Sequence, residues 1–215
     1  MRRLLYIALM LLAASSCGRV PTFRINSLVG KAVQQSLAYS YSYDPVKIKV
    51  DSAFAPYDSP EYYGLMLGLY TVSLNIQTYD LNIKSSQLMM ETFEDGVTAD
   101  ERKKFFEARE EFQRNVDLKR EAIREQRRLA REVNQMEQEY KHFIGYKVEH
   151  KYHALDRNLR LRLLSEFFLI DTEVKTVIAR YDLNDEIDQV VREMIRQAQE
   201  EKPAREFLKD SGEMT

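Results

Sequence analysis

The apolar positions divide the chain into segments of different period. From Tyr62 to Met90, the residues Tyr62, Leu65, Leu69, Val72, Ile76, Tyr79, Ile83, Ser86 and Met90 recur at alternating spacings of three and four. Eight of the nine are apolar, which predicts a long helix with a heptad seam. Tyr70, Val72, Leu74 and Ile76 also alternate as a strand would, but that alternation stops at Gln77-Thr78 while the heptad runs through, so helix is expected throughout. Ser59-Pro60-Glu61 supplies an N-cap, a proline at the first helical position and an acidic first turn. Glu94-Asp95-Gly96 then breaks the pattern, and Thr98 with Glu101 forms a capping box that opens a second helix. No glycine or proline occurs from Val97 to Ile144, so this helix is expected to extend about 45 residues, ~65 Å. Its apolar positions, Phe105, Phe112, Val116, Ile123, Ala130, Val133 and Tyr140, make a thin stripe interrupted by Lys119, Gln126 and Glu137. Such a stripe covers one partner helix, and an antiparallel hairpin follows.

On either side of the hairpin the period drops to two. Val46, Ile48 and Val50 alternate with Lys47, Lys49 and Asp51, and Tyr146, Val148, His150 and Tyr152 alternate with Lys147, Glu149, Lys151 and His153. Asp156-Arg157-Asn158 has turn chemistry, the next run holds Leu159, Leu161, Leu163 and Phe167, Asp171-Thr172 turns again, and Glu173 to Tyr181 reads as another strand. Connections this short make the strands antiparallel. A helix near Ser27 carries Leu28, Val29 and Ala32 on one side, and a final helix from about Asn184 to Gln199 gathers Ile187, Val190, Val191, Met194, Ile195 and Ala198 on one face suited to covering the sheet. The expected fold is α+β, a small antiparallel β-sheet with a C-terminal helix and a long inserted, coiled-coil-like helical hairpin. The expected division is 27–58 for the first helix and strand of the body, 59–143 for the hairpin, 144–199 for the meander and last helix, and 200–215 for a polar, flexible tail.

The N-terminus follows a different pattern. Arg2 and Arg3 precede an uninterrupted apolar stretch from Leu4 to Ala14, then the small residues Ala13-Ala14-Ser15-Ser16, then Cys17. That is the layout of a secretory signal peptide over 1–16, with a core too short to span a bilayer. The cysteine after small residues resembles the lipobox of bacterial lipoproteins, although the commonest pattern has Leu where Ala14 stands and Gly or Ala where Ser16 stands. The resemblance implies a thioether-linked diacylglycerol on Cys17, cleavage before it, and acylation of the new amino terminus. The only cysteine in 215 residues falls where lipidation needs one. Two or three acyl chains hold stably, since each buried methylene contributes ~0.8 kcal/mol. The same resemblance places the protein in the cell envelope. Gly18 is not the aspartate associated with inner-membrane retention, and no acidic cluster of the kind that directs surface export follows Cys17, so an outer-membrane anchor facing the periplasm is expected. Residues 17–26 would serve as a lipidated tether.

Composition removes several classes of function. A single cysteine excludes intramolecular disulfides and multi-thiolate zinc sites. With 32 basic and 34 acidic residues in balance, nucleic-acid binding is not expected. No phosphate-cradling glycine motif is present, and Ser27, Ser36, Ser40 and Ser42 lack the G-x-S-x-G context of a hydrolase nucleophile. Glu149, His150 and His153, with His142 nearby, would converge as metal ligands on a helix, but on a strand positions 150 and 153 point to opposite faces. The carboxylates of the second long helix, such as Glu107 with Glu111 and Glu121 with Glu125, mix with Arg124 and Arg128 and read as a solvated face. No catalytic residue, cofactor or metal site is expected.

The stretch YDPVKIKVDSAF, a long charged helical insert, the run FIGYKVEHKYHALDRN and a strand ending FFLID together resemble a loose group of small lipoproteins of the Bacteroidota. In that group the element matching Ala154 to Asn158 is followed by Phe-Gly, where this chain has Leu159-Arg160. The resemblance implies lipidation and compartment and names no catalytic residue. Two functional readings remain. In the first, an anchored, non-catalytic lipoprotein presents its hairpin to another envelope protein or to itself. In the second, tyrosines Tyr39, Tyr41, Tyr62 and Tyr63 line a site for a small ligand or glycan.

Overall fold

The computed structural model describes residues 22–210, with side chains described as far as Glu200. The expected signal peptide, Cys17 and the first part of the tether lie outside the described residues. The chain is α+β: helix α1 (Thr22–Ser36), strand β1 (Asp44–Ala55), helices α2 (Pro60–Phe93) and α3 (Ala99–Glu137), strands β2 (His142–Leu155), β3 (Leu161–Ile170) and β4 (Val177–Asp182), and helix α4 (Glu186–Asp210). The four strands form one antiparallel sheet in the order β1-β2-β3-β4. Contacts divide the chain into two units, Met1–Asp58 with Lys141–Gln189 and Ser59–Tyr140 with Val190–Thr215.

In the first unit, α1 covers one face of the sheet. Ile25, Val29 and Val33, one helical turn apart, are fully buried with Val148, Tyr152, Ala154, Phe168 and Ile170. The expected tether is therefore shorter than 17–26, because residues from Thr22 are helical and Ile25 belongs to the core. The core on this face is built by α1. Of the expected apolar face of α4, Val191 is fully buried and Met194, Ile195 and Ala198 are half-buried, while Ile187 and Val190 are exposed. The helix α4 continues through Pro203 to Asp210, so it runs past 200, where the tail is expected to begin. On the other face a smaller cluster joins Ala53, Phe167 and Leu169 to Ile144, Ala179, Tyr181 and Leu183.

The β2–β3 turn is held by Asp156, whose carboxylate accepts from the Asn158 and Arg160 amides at 2.8 and 2.9 Å and from Arg162 Nε at 3.2 Å. Leu159 takes a left-handed φ of 59° within it, and Leu159, Leu161 and Leu163, expected as one strand run, are exposed. The inward positions of β3 are instead Leu164, Phe168 and Ile170. Residues 171–176 form a turn and not the start of a strand: the Asp171 carboxylate accepts from the Lys175 and Thr176 amides at 2.8 and 2.9 Å, and β4 begins only at Val177.

In the second unit, α2 and α3 pack as an antiparallel hairpin. Ser59 Oγ accepts from the Tyr62 amide at 3.2 Å with Pro60 at the first helical position, and Thr98 with Glu101 makes the full capping box. These are the starts read from the sequence. All nine seam positions from Tyr62 to Met90 are buried or half-buried. The chain turns between the helices at Gly96, whose amide donates to Phe93 O at 3.1 Å and where a Cβ would lie 2.7 Å from that of Glu101. Among the described residues, no helix is long and apolar enough to cross a membrane.

Candidate interaction surface

The residues that interrupt the α3 stripe are the ones that fix the hairpin. Tyr62 Oη donates to Glu137 Oε1 at 2.7 Å, Gln126 Nε2 to Ser73 Oγ at 3.1 Å, Lys119 Nζ to Asp80 Oδ1 at 2.5 Å, and Asn82 Nδ2 to Asn115 Oδ1 at 3.2 Å. Moving from Tyr62 to Ser73 to Asp80 along α2 matches moving from Glu137 to Gln126 to Lys119 back along α3, so all three pairs obey one antiparallel register. Each removes a polar group from an otherwise apolar seam by partnering it, and a slip of one turn would strand them all. Between these pairs lie Leu129 and Val133, and beyond Asn115 toward the Gly96 turn lies Ala108, all buried. Leu129 reaches Gly68, where a Cβ would sit 3.2 Å from its Cδ1, so the glycine lets the two helices approach.

The outer face of α3 is a lattice of local ion pairs, for example Arg128 bridging Glu125 and Glu132 at 2.5 and 2.6 Å. These pairs are exposed and contribute little stability. They keep that face hydrated.

The outer face of α2 is different. Leu67, Thr71, Leu74, Thr78, Leu81, Ser85, Leu88 and Thr92 recur at spacings of four and three, displaced by two residues from the hairpin seam and hence about 200° around the helix. None is charged, and all from Thr71 onward are exposed, with Leu81 at 67% and Leu88 at 64%. The hydroxyls of Thr71, Thr78 and Thr92 donate to the carbonyls of Leu67, Leu74 and Leu88, four residues back, at 2.7–3.0 Å. Each hydroxyl is thus satisfied within the helix, and the methyl group faces outward. The stripe is apolar in effect, although half its members are polar by type. A helix apolar on two opposite faces is normally covered on both.

The sequence-singled tyrosines are placed differently from one another. Tyr39 and Tyr41 belong to the first unit and pair edge to face at 5.9 Å, with Tyr41 exposed. Tyr62 and Tyr63 belong to the second unit. Tyr62 is fully buried and its hydroxyl is engaged with Glu137, so it presents nothing to a ligand, and Tyr63 is half-buried. The tyrosine reading loses one of its four residues on that ground.

His150 is the most enclosed ionisable group of the body. Its Nδ1 lies 3.1 Å from Lys47 O and its Nε2 2.8 Å from Tyr43 Oη, which assigns the proton to Nδ1 and makes Nε2 the acceptor. The ring stacks on Tyr152 at 5.1 Å, and burial lowers its pKa. Beyond Tyr152, the Arg180 guanidinium clamps Glu166 at 2.6 and 2.9 Å and lies over Phe168. Burial, first, and the neighbouring Glu166 carboxylate push the Tyr152 phenol well above its ordinary value. Both nitrogens of His150 are engaged, so the group reads as a satisfied core histidine. His153 lies instead beside Asp44, at 3.7 Å. Among the described residues no three His, Cys, Asp or Glu side chains converge as a metal site would.

The α2 stripe was not singled out from sequence. The seam reading used the apolar residues of one face, and the threonines of the other counted as polar. The signal available was the period-seven recurrence of leucine at 67, 74, 81 and 88. No protein-family model matches the chain, and neither a curated protein nor a solved structure matches it.

Proposed function

We propose that the protein is a lipid-anchored, non-catalytic interaction module of the cell envelope, held through Cys17 at the periplasmic leaflet of the outer membrane. Its hairpin docks other protein through the outer face of α2. The anchor rests on the signal-peptide pattern and the position of the single cysteine. The docking role rests on one observation above all, the uncharged leucine stripe exposed on α2 opposite the hairpin seam. Burying a leucine fully is worth about 1.5–3 kcal/mol, so three exposed leucines on one line form a strong potential contact.

Two measurements test the reading. Mass spectrometry of the mature amino terminus should find Cys17 as residue one, carrying diacylglycerol; an unmodified Cys17 refutes the anchor. A photo-crosslinking residue at Leu81, in intact cells, should yield a protein adduct, whereas one at Arg120 on the ion-paired face of α3 should yield none. Equal capture at both positions, or none at Leu81, refutes the docking role.

A further inference from the structure

We infer that the occupant of the α2 stripe is α2 of a second copy of this chain, lying antiparallel to the first about a two-fold axis between Tyr79 and Asp80. The inference rests on the docking reading above and specifies its partner. The stripe alternates a large residue with a small one at every step: Leu67, Thr71, Leu74, Thr78, Leu81, Ser85, Leu88, Thr92. Run against itself in reverse, it sets Leu67 opposite Thr92, Thr71 opposite Leu88, Leu74 opposite Ser85 and Thr78 opposite Leu81. Every layer then pairs one leucine with one hydroxyl residue of smaller volume, so each large side chain faces a recess. A parallel pairing would instead stack leucine on leucine and threonine on threonine. The antiparallel arrangement also opposes the two helix dipoles.

Three of the four hydroxyls do not oppose this burial. Those of Thr71, Thr78 and Thr92 already donate to carbonyls of their own helix, so covering them strands no donor. The flanks are compatible as well. In this register Lys84 faces Gln77 of the second copy, Glu91 faces Tyr70, and Asn75 faces Asn82, so no like charges meet. A two-fold interface must be self-complementary in this way, because one patch serves both sides. A partner of unrelated sequence carries no such requirement.

The area is sufficient, though not large. From Leu67 to Thr92 the stripe runs about 38 Å, and with its flanking rows it is about 15 Å wide, which gives roughly 1,100 Å² for the two copies together, near the lower edge of specific interfaces. Anchoring to one membrane would raise the effective concentration and favour a contact of this size.

The test uses the full chain carrying Cys17→Ser, so that no native thiol contributes. Sedimentation equilibrium in detergent should give twice the chain mass, and Leu74→Lys with Leu81→Lys and Leu88→Lys should return it to the single-chain mass with unchanged far-ultraviolet ellipticity. The register is tested separately. Leu74→Cys together with Ser85→Cys should give a covalent dimer on mild oxidation, because each cysteine meets the other across the two-fold axis. Neither substitution alone should do so, since identical positions lie about 16 Å apart along the axis. Efficient cross-linking by either single variant overturns the antiparallel pairing. A single-chain mass for the unsubstituted stripe overturns the second copy as occupant. If the Leu81 photo-adduct in cells then contains a different protein, the docking role stands while this inference falls; if there is no adduct, both fall.

Discussion

Replacing His150 with phenylalanine should cost stability at high pH and progressively less as the pH falls. The substitution keeps an aromatic ring beside Tyr152 but leaves Lys47 O, which His150 Nδ1 approaches at 3.1 Å, without its donor. Tyr43 Oη, 2.8 Å from Nε2, is half-buried and regains water. Lys47 is itself exposed, so its carbonyl can turn to water, and the expected loss at pH 8 is the net value of the lost bonds, about 0.5–1.5 kcal/mol each. The pH dependence has a definite sign. Burial lowers the folded-state pKa of His150, so the unfolded chain binds the proton more readily. The native protein then keeps the full contribution above the unfolded value of about 6.5 and loses it as pH drops toward the depressed folded value, at up to about 1.4 kcal/mol per pH unit. His150→Phe lacks this titration. The gap between the two proteins should therefore narrow between pH 6.5 and 5. Urea unfolding followed through the amide NMR signals of Val148 and Phe168, both in the body core, measures the gap without interference from the hairpin. A gap that stays constant from pH 8 to pH 5, or widens on acidification, would refute the assignment of His150 as a buried neutral donor and acceptor.

Three further substitutions test separate parts of the structure. Ile25→Ala should destabilise the body by about 2–5 kcal/mol in the same unfolding assay, because Ile25 is fully buried against the sheet; a change below 1 kcal/mol, on the order expected of a surface site, would mean that residues near 25 are tether. Tyr62→Phe should cost the hairpin about 1.5 kcal/mol, the low end for a bond to a charged acceptor since Glu137 is half-exposed, and Glu137→Gln should cost less because its amide oxygen still accepts; equal losses would argue against that bond as the source. Gly145→Ala should prevent folding of the sheet, since a Cβ there would sit 1.9 Å from Ile170 O and the residue has a φ of 141°; a soluble variant with native β-sheet ellipticity would contradict the β2–β3 register.

What the sequence conveyed about this fold depended on how local each feature was. The Thr98–Glu101 capping box and the Ser59-Pro60 start are complete within four residues, and both are present as read. The α2 seam was legible because one helix face repeats its own chemistry. The roles of Lys119, Gln126 and Glu137 were not, because their partners lie 39, 53 and 75 residues away, and a residue scored alone as a break in a stripe can be a rung of the contact. Periodicity likewise shows that a helix has an apolar face but not what it covers. Both α1 and α4 carry such a face, and only the packed structure shows that the one on α1 lies against the sheet. The exposed α2 stripe escaped notice for a chemical reason: threonine presents a methyl group once its hydroxyl bonds back to the helix, and that bond depends on the helix being formed.

The central claim is that the outer face of α2 is a contact surface. It is tested most directly by placing a photo-crosslinking residue at Leu81 in cells and identifying the adduct. The account predicts an adduct of twice the chain mass, lost when Leu74 and Leu88 are changed to lysine, and no adduct from Arg120. An uncoupled Leu81 at native abundance would contradict it.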